Sequence, residues 1–440
     1  MSESKAENIS VGSGKQLVRA IGRWSLAALT INCIIGSGIF GLPAVLARLV
    51  GTASIVAVLV AGGAVGIVMA CFAEVSSRFT ETGGPYLYAR EAFGRFMGIQ
   101  VAWLVWFVRL TACAANANLF VIYLGELFPR ATHSVARFLI LTLLLGILAV
   151  VNVCGVRAGT GVSTSFTIAK LASLGLVCAT GAYYLIVTHR IVPSASTLRP
   201  DGHAWVSAIV LLIFAYGGFE AAVISTGEAR NPRRDLPFAL FAALLTCTTI
   251  YALTQWVVVG VLADPGHSDR PLADVARIVM GHGGAALIAI GALLSIYGYL
   301  SGNILATPRI TFALAERGDF PSFFAIVHAR FSTPYVSIFI FALLVWLLAL
   351  FGTFAGNATL SASSRLFYYG VVCAALPVLR RKQATTAAFK LPGGTVFSVL
   401  GALICIALLT RIDYDKSLIL VVAVAIALAN WLAVRNRQAS

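Results

Sequence analysis

Apolar residues run along this chain in long blocks separated by short polar or Pro/Gly-rich breaks. The blocks lie at 25–49, 53–77, 97–127, 136–154, 161–187, 205–227, 237–263, 283–314, 334–355, 358–379, 396–411 and 417–434. A helix needs about 20 apolar residues to cross a hydrocarbon core. The pattern therefore predicts an all-α, polytopic transmembrane protein of twelve helices. The first block follows a polar tail, residues 1–23, carrying Lys5, Lys15, Arg19 and Arg23. It has no short apolar core followed by a small-residue cleavage site, so a retained helix is expected rather than a signal peptide.

Composition strengthens this reading and excludes others. The 440 residues are 59% hydrophobic and 11% charged, whereas soluble domains carry roughly 25% charged residues. The excess of 32 Lys and Arg over 17 Asp and Glu, +15 in all, would suggest nucleic acid in a soluble protein. Sorted by loop, 20 of the basic residues fall on the side of the N-terminal tail, nine fall on the other, and Arg109, Lys170 and Arg365 lie inside blocks. By the positive-inside rule both termini face the cytoplasm of a cell (plasma or inner) membrane. The charge then reflects orientation, and no nucleic-acid partner is expected. The eight cysteines fall in apolar blocks, against disulfides or a metal cluster. The six histidines map to loops or block ends, which leaves no intramembrane catalytic set. Neither an enzyme nor a cofactor is expected.

Two blocks are interrupted. The first contains Gly36-Ser37-Gly38-Ile39-Phe40-Gly41-Leu42-Pro43 and the sixth Phe214-Ala215-Tyr216-Gly217-Gly218-Phe219-Glu220. Glycine is a poor helix former and proline lacks a backbone donor, so each block is expected to break into two half-helices. The alternative is that the glycines only let helices pack closely. The breaks lie five blocks apart, an odd offset that gives them opposite orientations, as an inverted repeat would. Paired breaks of this kind point to a transporter binding site. The amides of Ser37, Gly38 and Ile39 would open a half-helix and suit a carboxylate. Carbonyls near Cys33 and Ile34, and near Phe214 and Gly217, would suit an ammonium. A ligand with both groups on neighbouring atoms is an α-amino acid.

Ionisable residues deep in an apolar block are costly and usually functional. Glu220 lies mid-block, where a proton-linked switch, a polar brace for the break and a structural ion pair all fit. Lys170 lies too deep to reach the interface easily, so it is a candidate to release and regain a proton between conformations. Arg109 is expected to pair with Glu220 or to face an anionic ligand group. Arg365 reads as a structural ion-pair partner.

These segments, together with Glu228-Ala229-Arg230-Asn231-Pro232-Arg233-Arg234-Asp235-Leu236-Pro237, the stretch from Arg309 to Pro334, and Ser364-Arg365-Leu366, resemble the amino acid-polyamine-organocation (APC) transporters. The resemblance implies the LeuT-like (APC) fold, an inverted five-helix repeat at 24–190 and 205–380 with two further helices at 391–436. It assigns carboxylate binding to the backbone around Gly36, Ser37 and Gly38, and amino-group binding to Phe214 and Gly217. The Phe214 ring would close over the substrate. Lys170 is similar to a fifth-helix lysine whose ammonium stands where related transporters hold sodium. The expectation is a sodium-independent, proton-coupled amino acid symporter, with an amino acid or amine exchanger and a non-transporting sensor as alternatives. Its partners would be the amino acid, protons and the lipid bilayer. Substrate identity and oligomeric state are not readable at this level.

Overall fold

In the computed structural model the protein is helical throughout, with connecting turns, over its described residues, 22–79, 83–155, 160–189, 200–224, 231–382, 389–411 and 414–435. Most of the expected N-terminal tail, and residues 228–230 of the motif after the sixth block, lie outside them. The first half comprises α1 (Arg23–Ile34), α2 (Gly38–Val50), α3 (Ser54–Ser76), α4 (Gly84–Phe93), α5 (Arg95–Leu127), α6 (Ser134–Val153) and α7 (Thr160–Val187). The rest comprises α8 (Gly202–Tyr216), α9 (Glu220–Ile224), α10 (Pro232–Val261), α11 (Pro271–Glu316), α12 (Tyr335–Phe351), α13 (Phe354–Lys382), α14 (Gly394–Leu409) and α15 (Tyr414–Val434). Each of the twelve apolar blocks carries helix, and the first and sixth are both broken. Among the described residues eight helical stretches are long and apolar enough to cross a bilayer, and α8, α12 and α14 are shorter apolar helices.

Hydrophobic blocks alone did not reveal two helical segments. Helix α4 has no long apolar run; Pro85 starts it and Gly94, at φ 90, ends it. Helix α11 begins at Pro271, well before the block at 283, and bends at Gly281, where φ is 74.

Lipid offers no hydrophobic drive for helices to associate, so close packing and interhelical hydrogen bonds must hold the bundle. Its centre is α5 and α13, whose apolar windows are 72% and 67% buried, against 17% for α6 and α15 at the rim. Helix α6 exposes Val135, Leu139, Leu143 and Ile147 at intervals of four, a single apolar stripe for lipid. Within the bundle α1 packs on α9, α2 on α8, α3 on α10, α5 on α11 and α6 on α12. Each pair joins an element to the one five blocks later. Ionic clusters clamp the ends. Near the end where α1 begins, Asp319 accepts from the Tyr86 hydroxyl at 2.5 Å and from Arg95 Nε at 2.8 Å. Burial, then the Asp319 carboxylate, pushes the Tyr86 phenol above its ordinary range, so it donates as a neutral hydroxyl. At the same end Glu74 pairs with Arg78 at 2.9 Å and Arg380 at 2.6 Å.

Candidate functional site

The first break spans the three residues between α1 and α2, and Ile35 turns the chain out of the helix. Ile35 has φ −70 and ψ 89, and α2 restarts at Gly38 with Ser37 at its N-cap. The amides of Gly36, Ser37, Gly38 and Ile39 meet no acceptor among the described residues, as expected of the opening amides of a helix. The Ser37 hydroxyl is buried and also without a partner. Four free amides at a helix start form a partial positive charge suited to a carboxylate.

The second break is dictated by two glycines. A Cβ on Gly218, which sits at φ 113, would stand 2.3 Å from the Cys33 carbonyl oxygen; one on Gly217 would stand 0.9 Å from Arg365 Nη1. No side chain fits against the backbone at Gly218, and one at Gly217 would displace the Arg365 guanidinium. The broken helices thus touch backbone to backbone, and the Arg365 guanidinium lies over the gap. Glu220 opens α9, and its carboxylate accepts from the Gly218 amide at 2.7 Å, the Tyr368 hydroxyl at 2.5 Å and the Tyr369 hydroxyl at 2.7 Å. Arg365 Nε completes an ion pair with it at 3.4 Å. The expected partnership of Arg109 with Glu220 is therefore corrected: Arg365 takes that place. Arg109 instead donates from Nη1 to Asn303 Oδ1 on α11 at 3.2 Å.

Several of the carbonyls expected to await an ammonium are engaged by the protein itself. Lys170 Nζ donates to the Asn32 carbonyl at 2.9 Å, Asn32 Oδ1 at 2.7 Å and the Ile35 carbonyl at 2.6 Å. The Tyr251 hydroxyl of α10 lies between the Ile34 and Ala215 carbonyls, at 3.0 and 2.9 Å. The Phe214 carbonyl accepts from the Gly217 amide at 3.2 Å.

A cavity of about 500 Å³ lies between the two breaks and α5, α11 and α13, with Gly36, Arg109, Lys170, Glu220, Asn303 and Arg365 on its wall. It reaches toward the end where α1 begins, past Leu29 and Pro85. Of the residues singled out from sequence, Gly36, Arg109, Lys170 and Glu220 line it. Ile34, Ser37, Gly38, Ile39, Phe214 and Gly217 are buried beside it. The Phe214 ring packs edge-on against Phe354 at 6.3 Å, and a Cβ on Gly41 would lie 2.5 Å from that same Phe354 ring. Sequence reasoning missed Asn32, Tyr251, Tyr368 and Tyr369. Their helices carry several other polar side chains, and only the fold shows that these four meet a break.

A charge-lined cavity between two broken helices, inside a bundle of apolar helices, is the arrangement of a membrane transporter, and the cavity is the candidate substrate site. Residues 21–431 match the amino acid permease family, and the chain belongs to it. It is a transporter and not an enzyme. It is similar to the methylthioribose transporter of Bacillus subtilis (strain 168), 27% identical over 412 residues, covering 89% of this chain and 88% of that protein. The branched-chain amino acid permease BcaP of the same organism is 27% identical over 420 residues, covering 91% of this chain and 89% of that protein. Its serine/threonine exchanger SteT is 29% identical over 334 residues, covering 73% of this chain and 74% of that protein.

Proposed function

We propose that the protein carries amino acids across the cell membrane by alternating access, without sodium, as a proton-coupled symporter. One observation carries the coupling: the Lys170 ammonium holds the carbonyl end of α1 through Asn32 and Ile35. A cation at that place does what a bound sodium ion would do there, by neutralising a half-helix C-terminus. Loss of its proton weakens those bonds and frees α1 to move. Protonation state and helix position are then linked. On this reading residues 24–190 and 205–380 are inverted repeats, residues 391–436 add two helices, and both termini and the 1–23 tail are cytoplasmic. The open end of the cavity then faces the cytoplasm. The substrate carboxylate is assigned to the amides of Gly36, Ser37, Gly38 and Ile39. Its amino group is assigned to backbone carbonyls at Ile34, Phe214 and Gly217, through the second lone pair of the two already engaged, with the Phe214 ring closing over it.

The test is uptake of a radiolabelled amino acid mixture into sodium-free proteoliposomes under an imposed inward proton gradient. Uptake should rise with the gradient in the native protein. Lys170→Ala should abolish that dependence while remaining monodisperse. Equal gradient dependence in Lys170→Ala would remove the lysine from the mechanism. Exchange is the second reading, supported by the similarity to a serine/threonine exchanger; it requires that uptake occur only with amino acid preloaded inside.

A further inference from the structure

The charges on the cavity wall do not balance. Among the described residues lining it, Arg109, Lys170 and Arg365 face a single acid, Glu220. Lys170 is satisfied by three oxygens at the end of α1, two from Asn32 and one from Ile35. The Glu220 carboxylate already accepts from two tyrosine hydroxyls and an amide. Arg365 is left with a single long contact to it, 3.4 Å from Nε. Arg365 is 7% exposed, and among the described residues its Nε and Nη1 have no hydrogen-bond partner. Arg109 has one among them, the neutral amide of Asn303. Both guanidiniums line the same cavity, together with Tyr299 and Tyr368.

A guanidinium offers five donors, and burying them unmet costs free energy that an anion recovers. The α-carboxylate of a substrate does not meet this need if it sits on the free amides of Gly36 to Ile39. A zwitterion with an apolar side chain brings no second negative group. One with a basic side chain brings a further positive charge to a wall already rich in cations. We infer that the substrate is an amino acid with an acidic side chain, of the aspartate or glutamate type. Its α-carboxylate lies on the α2 amides and its side-chain carboxylate between Arg109 and Arg365. The inference rests on the amino acid transport reading and adds the substrate class to it. Arg109, together with Asn303, is then the specificity-determining group. Arg365 serves both the substrate and the ion pair with Glu220.

The experiment uses the full-length protein in proteoliposomes and nanodiscs, with L-glutamate, L-aspartate, L-glutamine, L-asparagine, L-leucine and L-lysine as probes. Uptake and thermal stabilisation are both read. Glutamate or aspartate should be taken up and should stabilise the protein, with the matched amide at least about tenfold weaker, the scale set by losing one charge-assisted contact in a dry site. Arg109→Gln should erase or reverse that preference, and Arg109→Lys should retain part of it. Arg109 is used because Arg365 also braces α9 and its replacement would confound folding. Equal or better handling of the neutral or basic amino acids by the native protein overturns the inference and leaves amino acid transport standing. Binding and uptake of none of the six overturns both.

Discussion

The Glu220–Arg365 pair is the place where the fold can be tested most directly by stability measurements. Two unit charges 3.4 Å apart attract by ~5 kcal/mol at the effective dielectric of about 20 that suits protein interiors. The adjoining cavity screens part of this. A coupling of ~2–3 kcal/mol is therefore expected, within the range found for contacting pairs. Glu220→Gln leaves a buried guanidinium without its counter-charge and sets an amide N–H against donors from Gly218, Tyr368 or Tyr369. Breaking one side of a buried ion pair costs ~3–5 kcal/mol. Arg365→Gln removes the cation and leaves the carboxylate held by its three remaining donors, so it should cost less than Glu220→Gln. The assay is a double-mutant cycle on SDS-induced unfolding in mixed micelles, comparing the native protein, both single variants and the double variant. The double variant should be more stable than the sum of the two losses implies. Additivity within about 0.5 kcal/mol would refute an energetically coupled pair and reduce the 3.4 Å approach to mere proximity.

Two further outcomes follow from the breaks. Tyr251→Phe keeps the ring but leaves the Ile34 and Ala215 carbonyls without their shared donor, so it should lower stability by ~1–3 kcal/mol, read by the same unfolding titration; an unchanged midpoint would show that the hydroxyl braces neither helix. Gly218→Ala sets a methyl 2.3 Å from a backbone oxygen, whereas a Cβ on Gly63 meets nothing within 4 Å. The first should abolish uptake and the second leave it intact, and retained uptake in Gly218→Ala would show that the two backbones separate without cost.

The breaks themselves were legible in the sequence because clustered glycines inside an apolar block contradict an unbroken helix, whereas Pro43, expected to contribute, lies inside α2. Lys170 and Glu220 were legible because charge at membrane depth demands an explanation. The partner of Glu220 was not. Arg109 and Arg365 both lie inside apolar blocks, far from Glu220 in sequence, and only the packing of α13 across α8 decides between them. Tyr251, Tyr368 and Tyr369 look like ordinary aromatic residues of a buried helix until their hydroxyls are seen to meet the breaks. Helix α4 escaped notice for a different reason. Its boundaries are written in Pro85 and Gly94 rather than in any apolar run.

The bare backbone crossing of Gly218 on Cys33 has a mechanical consequence. With no side chain to compress, the crossing can act as a fulcrum, and α1, 12 residues or about 18 Å long, is the lever arm beyond it. A tilt of roughly 15°, the size of known rigid-body switches, would swing the free end by about 5 Å, while the crossing atoms barely shift. A doorway for a small solute would thus open and shut at one end of the helix, with the tight fit between the two breaks kept intact at the other.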